Sequence, residues 1–180
     1  MIYIMIGQLS QVQKNLLKPF IQGKIVHDLG AGDLALSREI LALGAEKVIA
    51  VDKNILPSSK DPRLEIVTLD FRDFAGCIDV AFVSWPSNWP TDLHWVIHST
   101  KIVIYLGSNM DGNMCGYKKL WDVFAQRDVL AYSLDRQNTL IVYGKRLRDG
   151  SRLLLPEEYA AMHIHDGHII SSDLFLTSNN

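Results

Sequence analysis

This sequence has few cysteines, no large excess of either charge and no long apolar run. Its 180 residues include two cysteines, Cys77 and Cys115, which stand far apart without metal-binding spacing, so we expect free thiols and neither a disulfide framework nor a zinc site. No apolar run approaches the roughly 20 residues that span a bilayer. Residues 1–6 are apolar but lack the basic flank and cleavage site of a secretion signal. These absences predict a cytoplasmic protein with no membrane partner.

The charges are nearly balanced, since 18 basic and 20 acidic residues give a net charge of −2. The chain therefore has no strong nucleic-acid signature. Its one basic group, formed by Lys145, Arg146, Arg148 and Arg152, follows an apolar run and is interpreted as a solvated loop. An apolar fraction of 48% is typical of a globular protein, and the length suits one domain with a core of its own.

Apolar runs of strand length alternate with segments of helical periodicity. Five such runs lie at 24–29, 47–51, 64–69, 78–84 and 101–106. Helices are expected at 33–43, after Thr91 and at 117–126, and a capping box of Ser10 and Gln13 predicts another helix before the first strand. Two final runs, 129–134 and 139–144, are separated by a hairpin-sized loop.

This alternation predicts the α/β class and a Rossmann-like, three-layer α/β/α domain. Its seven-stranded sheet is mostly parallel and ends in an antiparallel hairpin. We assign residues 1–145, with the N-terminal helix, to this domain, and 146–180 to a C-terminal extension that packs on it through its apolar residues. Ligands of such sheets bind at the carboxyl ends of the strands, near the switch point of the topology.

The turn after the first strand carries the residues of a cofactor site. Gly30 and Gly32 allow a tight turn and close approach of a ligand, and the N-terminus of the following helix favours a carboxylate or phosphate. Asp28 comes two residues earlier, where its charge suits an ammonium group and repels a pyrophosphate. Asp52 ends the second strand, where it can accept hydrogen bonds from both ribose hydroxyls. These residues suit a cofactor that has both a cationic amino-acid end and a ribose. We therefore predict S-adenosylmethionine as the cofactor.

A third acid, Asp70, ends the third strand, where it can accept a hydrogen bond from an adenine amino group. With these residues the chain resembles the class I, seven-stranded S-adenosylmethionine-dependent methyltransferases over about residues 21–144. The resemblance implies that Asp28, Gly30 and Gly32 surround the methionine moiety and that Asp52 binds the ribose.

The resemblance extends to two later segments. It implies that Asp70 with Phe71 contacts the adenine and that Ser84 begins the segment that meets methionine and substrate. Leu34 departs from the family, which commonly has a third glycine at this place, and predicts that the helix follows the turn at once.

A nicotinamide dinucleotide fold is the competing interpretation of the glycine turn, because residues 30–35 also fit a loose G-x-G-x-x-A pattern. That interpretation places Asp28 beside a pyrophosphate, which is electrostatically unfavourable. It also leaves Asp70 and the final hairpin unexplained.

Methyl transfer depends mainly on holding the acceptor in line with the methyl group, so the candidate catalytic residues are those directly after the fourth strand: Ser84, Trp85 and Pro86. Trp85 and Trp89 offer flat surfaces for a planar or cationic substrate. The segment partly resembles the Asp/Asn/Ser-Pro-Pro-aromatic motif of methyltransferases acting on the amino groups of adenine or glutamine. Ser84 and Pro86 match that motif, whereas Trp85 replaces a proline and Ser87 the aromatic residue. Tryptophans that pack the loop onto the core are the alternative.

Histidines occur in two groups, and no metal site is predicted at either. His94 and His98 lie one helical turn apart and have no evident further ligand. His163, His165 and His168 belong to the C-terminal extension, which more plausibly folds over the sheet or the substrate cleft.

The predicted function is transfer of a methyl group from S-adenosylmethionine to an unidentified acceptor, with a nucleobase or protein nitrogen favoured over a small metabolite. A non-catalytic subunit or binding protein with the methyltransferase fold, and an NAD-dependent oxidoreductase, stay open as alternatives. The apolar extension is either an intramolecular lid or a contact with a second copy or a larger partner.

Overall fold

The structure is a computed structural model that describes residues 8–54, 58–110, 113–134 and 138–145. The C-terminal extension, with its three histidines and most of the basic group that begins at Lys145, lies outside the described residues. Within them, no helix combines the length and apolar character that a membrane span requires.

Seven strands form one sheet and are labelled in chain order. They are β1 (Ile25–Leu29), β2 (Lys47–Asp52), β3 (Leu64–Thr68), β4 (Val80–Ser84), β5 (Ile102–Gly107), β6 (Arg127–Ser133) and β7 (Thr139–Lys145). Their order across the sheet is β3-β2-β1-β4-β5-β7-β6. The first five strands are parallel, and β7 pairs antiparallel with both β5 and β6. The predicted mostly parallel sheet with an antiparallel end is thereby confirmed.

Among the described residues, four helices cover the sheet on its two faces. They are α1 (Gln11–Ile21), α2 (Ala35–Ala42), α3 (Leu93–His98) and α4 (Lys118–Phe124). One core joins apolar residues of α1 and α2 to one face of the sheet, including Leu17, Ile40 and Val26. A second core joins α3 and α4 to the other face, including Ile97, Phe124 and Leu29. These two cores give the three layers that the alternating pattern predicted.

The helix after the glycine turn begins later than expected. Leu34 has left-handed backbone angles, φ 65° and ψ 10°, and α2 starts only at Ala35. The prediction that helix follows the turn at once is wrong, because Leu34 keeps the backbone conformation that a glycine adopts most easily. Its side chain is fully buried, so burial of the leucine offsets the strained backbone.

A short hairpin adds to the predicted elements, with two residues in each strand (Asn109–Met110 and Asn113–Met114). It follows β5 directly and precedes α4. A 3-10 turn, Phe71–Asp73, likewise follows β3. Both lie after parallel strands, at the end of the sheet where ligands of this architecture bind.

Candidate functional site

A cavity of about 520 Å³ opens at the carboxyl ends of β1 to β4. Its size falls within the usual range for small-molecule sites. The strand order reverses between β1 and β4, so the cavity occupies the switch point at which such sheets bind ligands. Residues after β1, β2 and β3 line one half, and residues 84–87 and 90–93 line the other.

The glycine turn supplies open backbone beside this cavity. Gly30 and Gly32 both have positive φ angles, 86° and 50°, and a Cβ built on either meets no atom within 4 Å. The N–H of Gly30 donates to the carbonyl of Val51 at 2.8 Å, which ties the turn to β2. Of the two glycines, Gly30 lines the cavity. A ligand can therefore approach the turn without meeting a side chain.

Asp52 links the end of β2 to this turn. Its Oδ2 accepts from the N–H of Gly32 at 3.2 Å, and its Oδ1 accepts from the N–H of Asn54 at 2.9 Å. The residue is half-buried and lines the cavity. A carboxylate has about four acceptor positions, so two backbone bonds fix its orientation and leave capacity for a diol.

Asp28 lies deeper than the sequence suggested. It is fully buried, and its Oδ2 accepts from the Ser37 hydroxyl of α2 at 2.5 Å. Its Oδ1 has no hydrogen-bond partner. Burial raises the pKa of this carboxyl to about 6, against the opposing effect of the Ser37 hydrogen bond.

The expectation that Asp28 stands in the cleft thus differs from its observed position. In β1 its side chain shares the face of Val26, which α1 and α2 cover, because successive side chains of a strand point to opposite faces. The next residue, Leu29, lines the cavity instead. A role of Asp28 in holding the cofactor stays a prediction, and the observed contact with α2 gives it a structural one.

Asp70 and Phe71 line the cavity after β3, together with Arg72. The Asp70 carboxylate accepts from Arg72 at three places, the backbone N–H (3.1 Å), Nε (3.2 Å) and Nη2 (3.0 Å). These hydrogen bonds hold the pKa of Asp70 below its usual range. Sequence reasoning missed Arg72, although an arginine two residues after an acid at a strand end signals such a pair.

The predicted catalytic segment lines the opposite half of the cavity through Ser84, Trp85 and Pro86. Trp85 has a positive φ of 46°, a strained conformation for a bulky residue. Its backbone N–H donates to the carbonyl of Leu106 at 2.7 Å, and its indole Nε1 is buried without a hydrogen-bond partner. The structure thus brings the predicted catalytic and cofactor residues to one cavity, except Asp28, which lies behind the surface, and Gly32, which is held against Asp52.

Of the first histidine group, His94 packs inside the fold. His94 is buried, with Nδ1 at 2.9 Å from the carbonyl oxygen of Thr91 and 3.0 Å from the hydroxyl of Tyr117. His98 is exposed. Within residues 8–54, 58–110, 113–134 and 138–145, no group of three histidine, cysteine or acidic side chains is placed to hold a metal ion.

No protein-family model matches the sequence, and no curated protein matches it. Several solved structures match the fold. A methyltransferase candidate from Escherichia coli is 16% identical, with a TM-score of 0.56, over 76% of this chain and 85% of that chain. The magnesium protoporphyrin IX methyltransferase of Synechocystis, solved with bound S-adenosylmethionine, is 12% identical, with a TM-score of 0.54, over 78% and 86%. A candidate RNA methyltransferase from Pyrococcus horikoshii is 18% identical, with a TM-score of 0.53, over 74% and 81%.

Proposed function

We propose that this chain, which has the class I S-adenosylmethionine-dependent methyltransferase fold, transfers a methyl group from S-adenosylmethionine to an acceptor. The observation that carries the proposal is the position of Asp52. Its carboxylate lies in a cavity at the switch point, bonded to the glycine turn of β1. In the Synechocystis neighbour a fold of this kind holds S-adenosylmethionine.

The residues of the chain suit the parts of this cofactor. The open backbone at Gly30 gives room for the methionine end, and Asp52 accepts from the ribose hydroxyls. Phe71 offers an apolar surface for the adenine. Asp70 accepts from the adenine amino group at the one position of Oδ2 that Arg72 leaves free.

The cofactor supplies an electrophilic methyl group on a positively charged sulfur. When bound, it would supply this methyl group to the acceptor atom and leave as a neutral thioether, and the proton of the acceptor would pass to solvent. The chain contributes orientation and exclusion of water. Ser84, Trp85 and Pro86 are placed for that role because they line the cavity opposite the proposed cofactor residues.

Calorimetric titration with S-adenosylhomocysteine, and with NAD in parallel, tests the proposal. We expect micromolar binding of S-adenosylhomocysteine and none of NAD. Asp52→Ala should weaken binding about 10- to 100-fold, since it removes hydrogen bonds to a charged acceptor. The matched control is Asp79→Ala, because Asp79 is exposed and pairs with Lys101 at the amino ends of β4 and β5, away from the cavity.

The other outcomes separate the alternatives. Binding of NAD alone would favour an oxidoreductase. If the folded protein bound neither ligand, a non-catalytic subunit would become the better interpretation. Equal affinity of the Asp52 and Asp79 variants would place the cofactor outside this cavity.

A further inference from the structure

One half of the cavity lies opposite the residues proposed to bind the cofactor. It is lined by residues 84–87, which begin the connection after β4, and by residues 90–93, which lead into α3. In a methyl transfer between two bound molecules, the acceptor lies next to the methyl group. We therefore call this part of the cavity the acceptor half, and its chemistry indicates what the acceptor is.

Asp92 is the only ionisable side chain among the residues that line the acceptor half. The other side chains there are apolar or carry uncharged hydroxyl groups. The two cations of the cavity, Lys53 and Arg72, line the opposite half, where two aspartates balance their charge. The acceptor half therefore carries a net negative charge.

The fold leaves the Asp92 carboxylate without a partner among the described residues. An aspartate at the N-cap of a helix usually accepts from a backbone N–H of the first turn, but Asp92, the N-cap of α3, makes no such hydrogen bond. Other groups bond to these N–H groups. The N–H of Leu93 donates to the Thr91 hydroxyl at 3.4 Å, and the N–H of His94 donates to the Tyr117 hydroxyl at 3.0 Å.

The other carboxylates that line the cavity are both held by hydrogen bonds. Asp52 accepts from two backbone N–H groups, and Asp70 accepts from Arg72 at three places. Asp92 acts on Arg72 only at longer range, since the pKa of Arg72 is raised first by its hydrogen bond to Asp70 and less by the charges of Asp73 and Asp92. Asp92 is therefore the cavity carboxylate that is free to bind a ligand.

A ligand in the acceptor half takes water away from the half-buried Asp92 carboxylate. That loss of water is costly unless the ligand supplies a proton donor or a positive charge. A carboxylate or a phosphate on the acceptor supplies neither and is repelled. An alcohol or an amide supplies only the donor, whereas an ammonium group supplies both and forms the stronger, charge-assisted hydrogen bond.

We propose that Asp92 binds the methyl acceptor and that this acceptor is a basic amine. The inference rests on the proposed methyltransferase function. The amine binds as its ammonium form, which predominates near pH 7, and loses one proton to solvent before it reacts. Its lone pair then bonds to the methyl carbon, the electron pair of the broken carbon–sulfur bond stays on sulfur, and the nitrogen takes the positive charge, which Asp92 stabilises. Such an amine differs from the uncharged amino groups of adenine and glutamine, to which the partial motif at 84–87 points.

NMR titration of the full chain, saturated with S-adenosylhomocysteine, tests the proposal with n-butylamine and its uncharged isostere n-butanol. Butylamine should bind about 10- to 100-fold more tightly, because a charged group strengthens the hydrogen bond. Asp92→Asn should abolish this difference, and it should preserve α3 because asparagine is as good an N-cap as aspartate. The matched control is Asp73→Asn, which should behave like the wild type, since Asp73 also acts on Arg72 but lies outside the cavity lining.

A blocked peptide with a single lysine distinguishes the sources of the amine. Tighter binding of the peptide than of butylamine would indicate a protein side chain as the acceptor. Equal or weaker binding of the peptide would indicate a free amine.

The outcomes are distinct from those for the cofactor. Asp92→Asn should bind S-adenosylhomocysteine like the wild type, which also shows that the variant is folded. The proposal fails if butylamine binds no more tightly than butanol, or if Asp92→Asn and Asp73→Asn weaken its binding equally. It fails as well if Asp92→Asn weakens binding of S-adenosylmethionine but not of S-adenosylhomocysteine, because the carboxylate would then face the sulfonium. If butylamine binds through Asp92 while S-adenosylhomocysteine does not bind, the amine site stands and the methyltransferase function fails.

Discussion

The carboxyl group of Asp28 is buried beneath α2 with a single hydrogen bond, from Ser37. Burial raises its pKa from 3.8 to about 6, so the folded chain binds this proton more tightly than the unfolded chain does. Stability from this group is fully present below about pH 4 and is lost as the pH rises to about 6. The shift corresponds to about 3 kcal/mol.

Asp28→Asn should remove this pH dependence. The free energy of unfolding of the wild type, minus that of the variant, should fall by about 3 kcal/mol between pH 3 and pH 7. Urea unfolding at a series of pH values measures it. Asp79→Asn is the control, because Lys101 lowers the pKa of Asp79 and the same difference should rise with pH. If the difference between the wild type and Asp28→Asn did not change with pH, the Asp28 carboxyl would ionise in the folded protein as easily as in the unfolded chain.

The sequence predicts which residues line the cavity where residue type and place in a strand are enough to decide it. Asp52 ends β2, Asp70 follows the end of β3 by two residues, and both line the cavity. Prediction fails for the depth of Asp28, because motif spacing does not say which face of β1 a helix covers. It fails for Leu34 as well, since a leucine in left-handed conformation is held there by the tertiary packing of its buried side chain.

At the scale of elements, α1 has the best-defined beginning. Ser10 accepts from the N–H of Gln13 at 3.2 Å, and the Gln13 side chain accepts from the N–H of Ser10 at 2.9 Å. Gln13 is itself buried and donates through Nε2 to the carbonyl of Asn138. The capping box therefore also attaches α1 to the residue before β7.

Ser10→Ala should destabilise the protein by about 1 kcal/mol, the usual cost of an N-cap. Gln13→Ala should cost more, about 2 kcal/mol, because it also leaves the Asn138 carbonyl without this donor. Chemical unfolding of both variants measures the difference. Gln11→Ala is the reference, since Gln11 is exposed and bonds only to Asn15. Equal losses for Ser10 and Gln13 would mean that the link to Asn138 contributes nothing.

The central strands β4 and β5 were predictable because their apolar runs are buried on both faces. In β4, four of the five residues are buried, and such continuous runs are typical of parallel sheets. The start of β6 was harder, since it begins at a buried arginine, Arg127, that bonds to the carbonyls of Ile97 and His98 at the end of α3. The hairpin after β5 has two residues in each strand, too few for any period to appear.

For the whole molecule, ligand binding and stability are coupled through the cavity at the end of the sheet. A ligand that binds there contacts the connections after β1, β2 and β3, which come together only in the folded state. It therefore stabilises the folded state and not the unfolded one. At about 100 times its Kd it adds about 2.7 kcal/mol.

S-adenosylhomocysteine at that concentration should raise the Tm by about 5–10 °C. Asp52→Ala should show about half of this shift or less at the same concentration, because its affinity is lower. NAD should produce no shift. Differential scanning calorimetry measures all three, and a shift with NAD equal to that with S-adenosylhomocysteine would contradict the proposed cofactor.

The place of β7 in the sheet has a consequence for synthesis on the ribosome. β7 lies between β5 and β6, so β6 has no partner in the sheet until residues 139–145 have emerged. α1, although made before β6, packs against β6 and bonds to Asn138 through Gln13. The nascent chain therefore lacks the contact of α1 with β6 until β6 has emerged, and β5 keeps an unpaired edge until residues 139–145 follow. The last described strand, β7, therefore covers the edge of β5 and leaves β3 and β6 as the outer strands of the sheet.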